Sequence, residues 1–106
     1  MIGEADVRRA VDRIVALYDP DAVYVFGSYA KGELTAGSDL DLVVVKPTGL
    51  PRWRRGRDVL AALAGLAFEL DLLFVTPAEL AEELADPYSL LATVMPAARP
   101  LYQRDG

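Results

Sequence analysis

Apolar residues recur at helical spacing in the first segment of the chain. They lie three or four positions apart, at Val7, Val11, Ile14 and Leu17, with arginines and aspartates between them. This period predicts an amphipathic helix over residues 4–18. Asp19-Pro20-Asp21 ends it, because the residue before a proline is sterically pushed out of the helical region.

Three short apolar runs predict strands. The runs 22–26, 39–45 and 69–75 are rich in β-branched, aromatic and leucine side chains and end near glycine or proline. Between the first two runs, residues 28–38 contain two glycines and predict a helical turn followed by a loop.

The remaining segments predict helices. Residues 57–67 are rich in alanine and leucine and follow a basic cluster. Thr76 can cap a helix over 78–84 with Pro77 in its first turn, and Asp86-Pro87 repeats this start signal before 88–95. The tail, 96–106, carries apolar Leu101 and Tyr102 and no further predicted element.

This order of elements predicts the fold class. Helices and strands alternate without repeats, which favours an α/β or α+β fold with a sheet of three to four strands and helices packed on it. The chain has 106 residues, of which 53% are hydrophobic. We therefore expect a single domain over residues 1–106.

Composition restricts the possible chemistry. The chain has no cysteine and no histidine, which excludes thiol nucleophiles, imidazole bases and cysteine-based zinc sites. Its formal net charge is −5, so we expect no strong nucleic-acid binding. No signal peptide or membrane segment is visible, and a soluble cytoplasmic protein is expected.

Two aspartates at the start of the second predicted strand suggest a metal site. Asp39 and Asp41 are two residues apart, so their side chains leave the same face with Cα atoms about 6.5 Å apart. Mg²⁺ accepts oxygen ligands of this kind. The alternative is that both are exposed residues at a strand start, capping a turn after Ser38.

Asp71 strengthens the metal interpretation. It lies between leucines in an apolar strand, where burial of an unpaired carboxylate would cost several kcal/mol. If helix 57–67 is a crossover to a neighbouring strand, Asp71 reaches the side of Asp39 and Asp41. Glu69 competes for this place, and an arginine of the 52–57 cluster could instead neutralise Asp71.

Gly27 and Ser28 directly follow the first predicted strand and open a turn. Backbone amides there, with the serine hydroxyl, are suited to bind a phosphate, and Lys31 could add a cation. The alternative is an ordinary connection between a strand and a turn.

The two motifs stand ten residues apart, and the segment GSYAKGELTAGSDLDLVV resembles the minimal nucleotidyltransferases of the polymerase-β-like superfamily. Lys31 departs from the arginine usual in that family. The resemblance implies a polymerase-β-like nucleotidyltransferase fold with a small mixed sheet. It also implies that ATP binds at Gly27, Ser28, Lys31 and Ser38. Asp39 and Asp41 would hold two Mg²⁺ ions, and Asp71 would be the third ligand and the general base.

The resemblance also implies a partner. Minimal nucleotidyltransferases of this length resemble antitoxins of HEPN/MNT toxin–antitoxin pairs, which transfer AMP from ATP to a tyrosine hydroxyl of a HEPN ribonuclease toxin. Two alternatives remain: a non-catalytic antitoxin that acts by binding, and a transferase that modifies a small molecule such as an aminoglycoside. A homo- or hetero-oligomer is compatible with each.

Three further features stay open at this stage. The basic cluster either binds a phosphate, RNA or the toxin through Trp53 or is a solvated loop with Trp53 folded onto the sheet. An apolar stripe is either core or a partner-facing surface, and Tyr29 is a candidate to stack on a nucleobase. The cluster comprises Arg52, Trp53, Arg54, Arg55 and Arg57, and the stripe comprises Leu80, Leu84, Leu90 and Leu91.

Overall fold

A computed structural model describes residues 3–27, 40–64 and 70–104. Within these ranges the chain forms four α-helices, two short 3₁₀ helices and four β-strands. The helices are α1 (Glu4–Tyr18), α2 (Arg57–Leu63), α3 (Pro77–Ala85) and α4 (Leu90–Val94), and the 3₁₀ helices are Arg52–Arg54 and Met95–Ala97. The strands are β1 (Ala22–Phe26), β2 (Leu40–Val45), β3 (Leu70–Val75) and β4 (Arg99–Gln103).

The four strands form one mixed sheet in the order β3-β2-β1-β4. Strand β1 is antiparallel to both β2 and β4, whereas β2 and β3 are parallel. Parallel neighbours need a crossover connection, and α2 lies within the one that links β2 to β3. This mixed α/β architecture confirms the predicted fold class.

Both faces of the sheet are covered by helices. On one face, α1 and α2 contribute Val11, Ile14 and Val59 to a core that includes Val25 and Leu42. On the opposite face, Leu91 of α4 packs with Val43 and Val75, and Leu80 of α3 lies against them. Side chains alternate between the faces of a strand, so each buried strand supplies both cores. No helix in the described part of the chain is long and apolar enough to cross a bilayer.

One strand was missed, and two predicted helix boundaries were wrong. The tail forms β4, which the sequence analysis missed because Pro100 interrupts a short strand in which only Leu101 and Tyr102 are partly buried. Helix α4 begins at Leu90, since the Ser89 hydroxyl caps it by accepting from Ala92 N at 3.0 Å. Asp86 instead ends α3 and accepts from Tyr88 N. Helix α2 ends at Leu63, with Ala64 as its C-cap.

A buried arginine joins the crossover to α3. Arg55 is only 6% exposed and donates to Phe74 O at 3.2 Å and to Leu50 O at 2.8 Å. Its guanidinium also contacts both carboxylate oxygens of Glu79, at 2.6 and 3.1 Å. This bidentate pair lowers the pKa of Glu79 to about 2, chiefly through the hydrogen bond from Arg55 and then through that from Thr76 N.

The chain can approach β3 at this point because residue 56 is a glycine. Gly56 has φ +67°, and a Cβ atom built there would lie 2.2 Å from Cζ of Phe74. A side chain would therefore collide with the buried ring, and the backbone conformation itself favours glycine. Gly56 thus lets the chain turn from Arg55 into α2 directly over Phe74.

Replacement of Glu79 by Gln should lower the free energy of unfolding by about 3 kcal/mol at pH 7, because it leaves the buried Arg55 guanidinium without its counter-charge. The folded-state pKa of Glu79 lies below its usual value. The pair therefore stabilises fully above about pH 4.5 and loses this contribution as the pH falls toward 2. Urea unfolding of both proteins should show a difference that shrinks across this range. Glu82→Gln, at an exposed position of α3, is the control, and an equal loss in both variants would contradict the prediction.

Candidate functional site

Two carboxylates lie side by side where the parallel strands begin. Asp41 is the second residue of β2 and pairs in register with Asp71, the second residue of β3. Register partners point to the same face of a sheet, and neighbouring strands are about 4.8 Å apart. The crossover through α2 therefore brings Asp71 next to Asp41, as the sequence analysis expected of a crossover helix.

The environment of Asp71 differs from the expectation. The sequence analysis placed it in a buried strand, but the side chain is exposed, so its charge carries no large desolvation cost. The alternative in which an arginine of the 52–57 cluster neutralises Asp71 was also wrong for the described residues. No arginine forms an ion pair with Asp71 there, and Arg52 and Arg55 pair with glutamates of α3. Exposure leaves the carboxylate of Asp71 accessible to a ligand from solvent.

At Gly27 the backbone passes close to the carboxylate of Asp41. It directly follows β1, whose last residue, Phe26, pairs with Asp41 across the antiparallel ladder. A Cβ atom at Gly27 would lie 2.7 Å from Oδ2 of Asp41, and Gly27 has φ +76°. Both observations require glycine, because the turn uses a left-handed conformation and passes within contact distance of the carboxylate.

The pair has the electrostatic character of a cation site. Like charges at directly neighbouring positions of a sheet destabilise it, and a divalent cation would remove that repulsion. Carboxylate oxygens are hard ligands of the type that Mg²⁺ prefers. Within the described residues the acidic cluster is limited to this pair, since no group of three potential ligands occurs there.

Several predicted site residues lie outside the described residues. These are Ser28, Lys31, Ser38 and Asp39, together with Tyr29 and Glu69. The structure thus brings together Gly27, Asp41 and Asp71, which come from three different strands or strand ends. The predicted nucleotide and metal site stays a prediction, with the residues Gly27, Ser28, Lys31, Ser38, Asp39, Asp41 and Asp71.

The basic cluster is arranged differently from its expected form. Trp53 is 71% exposed, so the expectation that it folds onto the sheet was wrong; Arg55 is the buried member. The sequence analysis missed Glu79 as the partner of Arg55. The signal was available, because Thr76 and Glu79 form a capping box, with Thr76 Oγ1 accepting from Glu79 N at 3.1 Å.

Comparison with protein families decides what kind of domain this is. The model of the nucleotidyltransferase domain family matches residues 7–96, which is most of the chain. The chain belongs to the nucleotidyltransferase domain family. The match extends from α1 to the second 3₁₀ helix and includes Gly27, Asp41 and Asp71, so β4 alone among the strands lies beyond it.

Solved structures share the fold of this nucleotidyltransferase. A protein from Sulfolobus solfataricus named as a nucleotidyltransferase is 16% identical, with a TM-score of 0.62 over 92% of this chain and 78% of its own. A toxin–antitoxin structure with AMP-PNP is 19% identical, with a TM-score of 0.55 over 92% of this chain and 74% of its own. A mutant of the MntA–HpeT toxin–antitoxin is 20% identical, with a TM-score of 0.56 over 99% and 76%. No curated protein sequence matches the chain.

Replacement of Gly27 by Ala should lower both the stability and the transfer activity of this nucleotidyltransferase. The new methyl group would displace the Asp41 carboxylate and strain the backbone, lowering the free energy of unfolding by about 1–2 kcal/mol. Thermal unfolding measures this loss, and nucleotide transfer should fall by more than the fraction unfolded explains. Gly49→Ala is the matched control, because nothing lies within 4 Å of a Cβ atom there. Equal behaviour of the two variants would refute the steric argument.

Proposed function

We propose that this nucleotidyltransferase is Mg²⁺-dependent and transfers AMP from ATP to a hydroxyl group, that of a tyrosine, on a partner HEPN ribonuclease toxin, for which it is the antitoxin. The observation that carries the proposal is the adjacent pair Asp41 and Asp71 with Gly27 against Asp41. These three residues lie at one end of the sheet, which supports a site of acidic ligands beside a turn that a phosphate can approach. Two ions bound to carboxylates are a general solution for phosphoryl and nucleotidyl transfer.

The carboxylates of Asp39, Asp41 and Asp71 would hold the metal ions. The chemistry of the donor set fits Mg²⁺, since the described pair offers only carboxylate oxygens and Asp71 is open to solvent. When bound, Mg²⁺ supplies charge neutralisation on the triphosphate and on the leaving group.

The nucleotide would be held by the turn after β1. Gly27 permits a phosphate to approach the backbone, and Ser28 and Ser38 offer hydroxyl donors. Lys31 supplies a positive charge, although a lysine lacks the planar double contact of an arginine. In this arrangement the β- and γ-phosphates lie at Gly27 and Ser28, and the α-phosphate lies toward the aspartates.

In the proposed reaction Asp71 accepts the proton of the incoming hydroxyl. The hydroxyl oxygen forms a bond to the α-phosphorus, and the bond from that phosphorus to the oxygen bridging the α- and β-phosphates breaks. AMP stays on the acceptor, and pyrophosphate leaves with the bonding electron pair. Asp71 fits the role of base because its side chain is exposed on the face that it shares with Asp41.

The proposed acceptor is supported by the fold comparison. Two of the similar structures are toxin–antitoxin proteins, one with AMP-PNP, a nucleoside triphosphate analogue. An acceptor on a second protein is consistent with these two assemblies.

Neutralising Asp71 should have opposite effects with and without metal. Asp71→Asn should raise the melting temperature of the metal-free protein slightly, by relieving repulsion worth roughly 0.5 kcal/mol between neighbouring carboxylates. It should also reduce the stabilisation that MgCl₂ or MnCl₂ confers on the wild type. Thermal unfolding over a metal titration measures both, with Asp12→Asn on the exposed face of α1 as the control. An unchanged metal response in Asp71→Asn would remove this residue from the metal site.

AMP transfer is tested by supplying ATP labelled at the α-phosphate or at the γ-phosphate, with Mg²⁺ and the product of the neighbouring gene. We expect the partner to gain the α label only, on a tyrosine identified by mass spectrometry. Asp41→Asn and Asp71→Asn should each lower the rate at least a thousandfold, because each removes a ligand of the reaction centre, whereas Asp12→Asn should not.

The other outcomes separate the alternatives. A stable complex without label would favour an antitoxin that acts by binding. Absence of both complex and label, with labelled aminoglycoside formed instead, would favour a small-molecule acceptor. Transfer of the γ label would show phosphoryl transfer and contradict the proposed reaction.

A further inference from the structure

The basic cluster divides into two pairs of arginines with different surroundings. Arg55 is buried against Glu79, and Arg52 lies 3.6 Å from carboxylate oxygens of both Glu79 and Glu83. These contacts fix the 3₁₀ helix Arg52–Arg54 on α3. These ion pairs therefore hold the segment that carries Trp53 against α3.

The second pair of arginines faces outward. The guanidinium carbon of Arg54 lies 5.7 Å from the centroid of the Trp53 ring, and that of Arg57 lies 5.9 Å from it. Among the described residues no carboxylate pairs with either arginine. Trp53 remains 71% exposed although it is the largest apolar side chain of the protein.

Exposed leucines extend this surface. Leu50, whose carbonyl is held by Arg55, is 46% exposed, and Leu60, one turn beyond Arg57 on α2, is 48% exposed. We define the Trp53 surface as Leu50, Trp53, Arg54, Arg57 and Leu60. It combines apolar side chains with two arginines that pair with no carboxylate in residues 3–27, 40–64 and 70–104, on a chain whose net charge is −5.

We propose that the Trp53 surface docks the acceptor protein through an apolar patch bordered by acidic side chains, a step that rests on the proposed function. Charge complementarity argues for the acidic border, because the two outward guanidinium groups have no counter-charge among the described residues. Tryptophan and arginine are the residues most enriched among those that dominate binding energy at protein interfaces. An apolar centre with a charged rim is the usual anatomy of such an interface.

A protein fits this surface better than a nucleic acid does. Electrostatic affinity for nucleic acid grows with the number of phosphates contacted, and the two outward arginines of this acidic chain offer few contacts. The exposed leucines contribute nothing to phosphate binding, but they would be buried by an apolar protein surface.

The Trp53 surface is remote from the reaction centre. The 3₁₀ helix follows the carboxyl end of β2, and Arg55, directly after it, contacts the carboxyl end of β3 at Phe74 O. Asp41 and Asp71 lie near the amino ends of these strands. Four residues of strand, about 13 Å, separate the two ends. The surface therefore affects how tightly the acceptor is held and does not touch the reacting atoms.

The test compares Trp53→Ala and the double variant Arg54→Glu/Arg57→Glu with the wild type. Each should weaken binding of the neighbouring-gene product at least roughly tenfold, measured by calorimetry in an Asp41→Asn background so that no transfer occurs. In chains with Asp41 intact, KM for the acceptor should rise while kcat stays within about twofold. Arg8→Glu/Arg9→Glu, at exposed positions of α1, applies the same change of charge as a control.

The outcomes are distinguishable from those of the proposed function. Weaker binding in the Trp53-surface variants without any AMP transfer by the wild type would keep the docking surface and refute the transferase. Unchanged binding in these variants, equal loss in the α1 control, or no binding by the wild type would overturn the proposal. Binding of a labelled single-stranded RNA that these variants abolish, with acceptor binding intact, would assign the surface to nucleic acid and overturn it as well.

Discussion

The parallel register of β2 and β3 is the constraint on which the candidate site depends. Asp41 and Asp71 share a face only because they occupy the same register position. A slip of one residue would turn the side chain of Asp71 to the opposite face, among the residues that pack on α1 and α2. The register is specified from both faces, because Leu42 and Val43 belong to separate buried cores. Packing of the whole sheet thus determines the distance between two polar side chains at its edge.

The Arg55–Glu79 pair fastens the connection that this register requires. Arg55 lies between the 3₁₀ helix and α2. It contacts both the backbone near the end of β3, at Phe74 O, and Glu79 in the first turn of α3. The same guanidinium therefore ties the start of the crossover to the strand that the crossover delivers. A buried ion pair contributes little net stability but is costly to break, so its effect is to favour one arrangement of these segments. The ion pairs of Arg52 and Arg55 with glutamates of α3 hold this segment in a position that leaves Trp53 exposed.

The sequence predicted the elements whose pattern is local and repetitive. Helix α1, strands β1 to β3 and α3 follow from periodicity, proline and capping signals that neighbouring residues carry. Strand β4 could not be predicted in this way, because its hydrogen bonds come from β1, far away in the chain. The burial expected for Asp71 was wrong for a related reason. An apolar strand sequence does not show which of its positions a helix covers. Gly27, Asp41 and Asp71 were identifiable as candidates from residue type and spacing, but the contact of Gly27 with Asp41 depends on the antiparallel pairing of β1 and β2.

The two ends of the parallel pair serve different physical purposes in this arrangement. At the amino ends, the carboxylates of Asp41 and Asp71 are neighbours of like charge, so the proposed binding of a cation would stabilise this end of the sheet. At the carboxyl ends, Arg55 donates a hydrogen bond to the backbone of β3. The outward arginines around Trp53 are suited to contact an acidic surface. The acceptor proposed to dock at the carboxyl ends would bring its own negative charge. Its distance from Asp41 and Asp71 would limit the repulsion, since charges further apart than about 10 Å are largely screened at ordinary ionic strength. Separation along the strands would thus allow this acidic chain to combine the proposed anionic reaction centre with attraction for the proposed acidic partner.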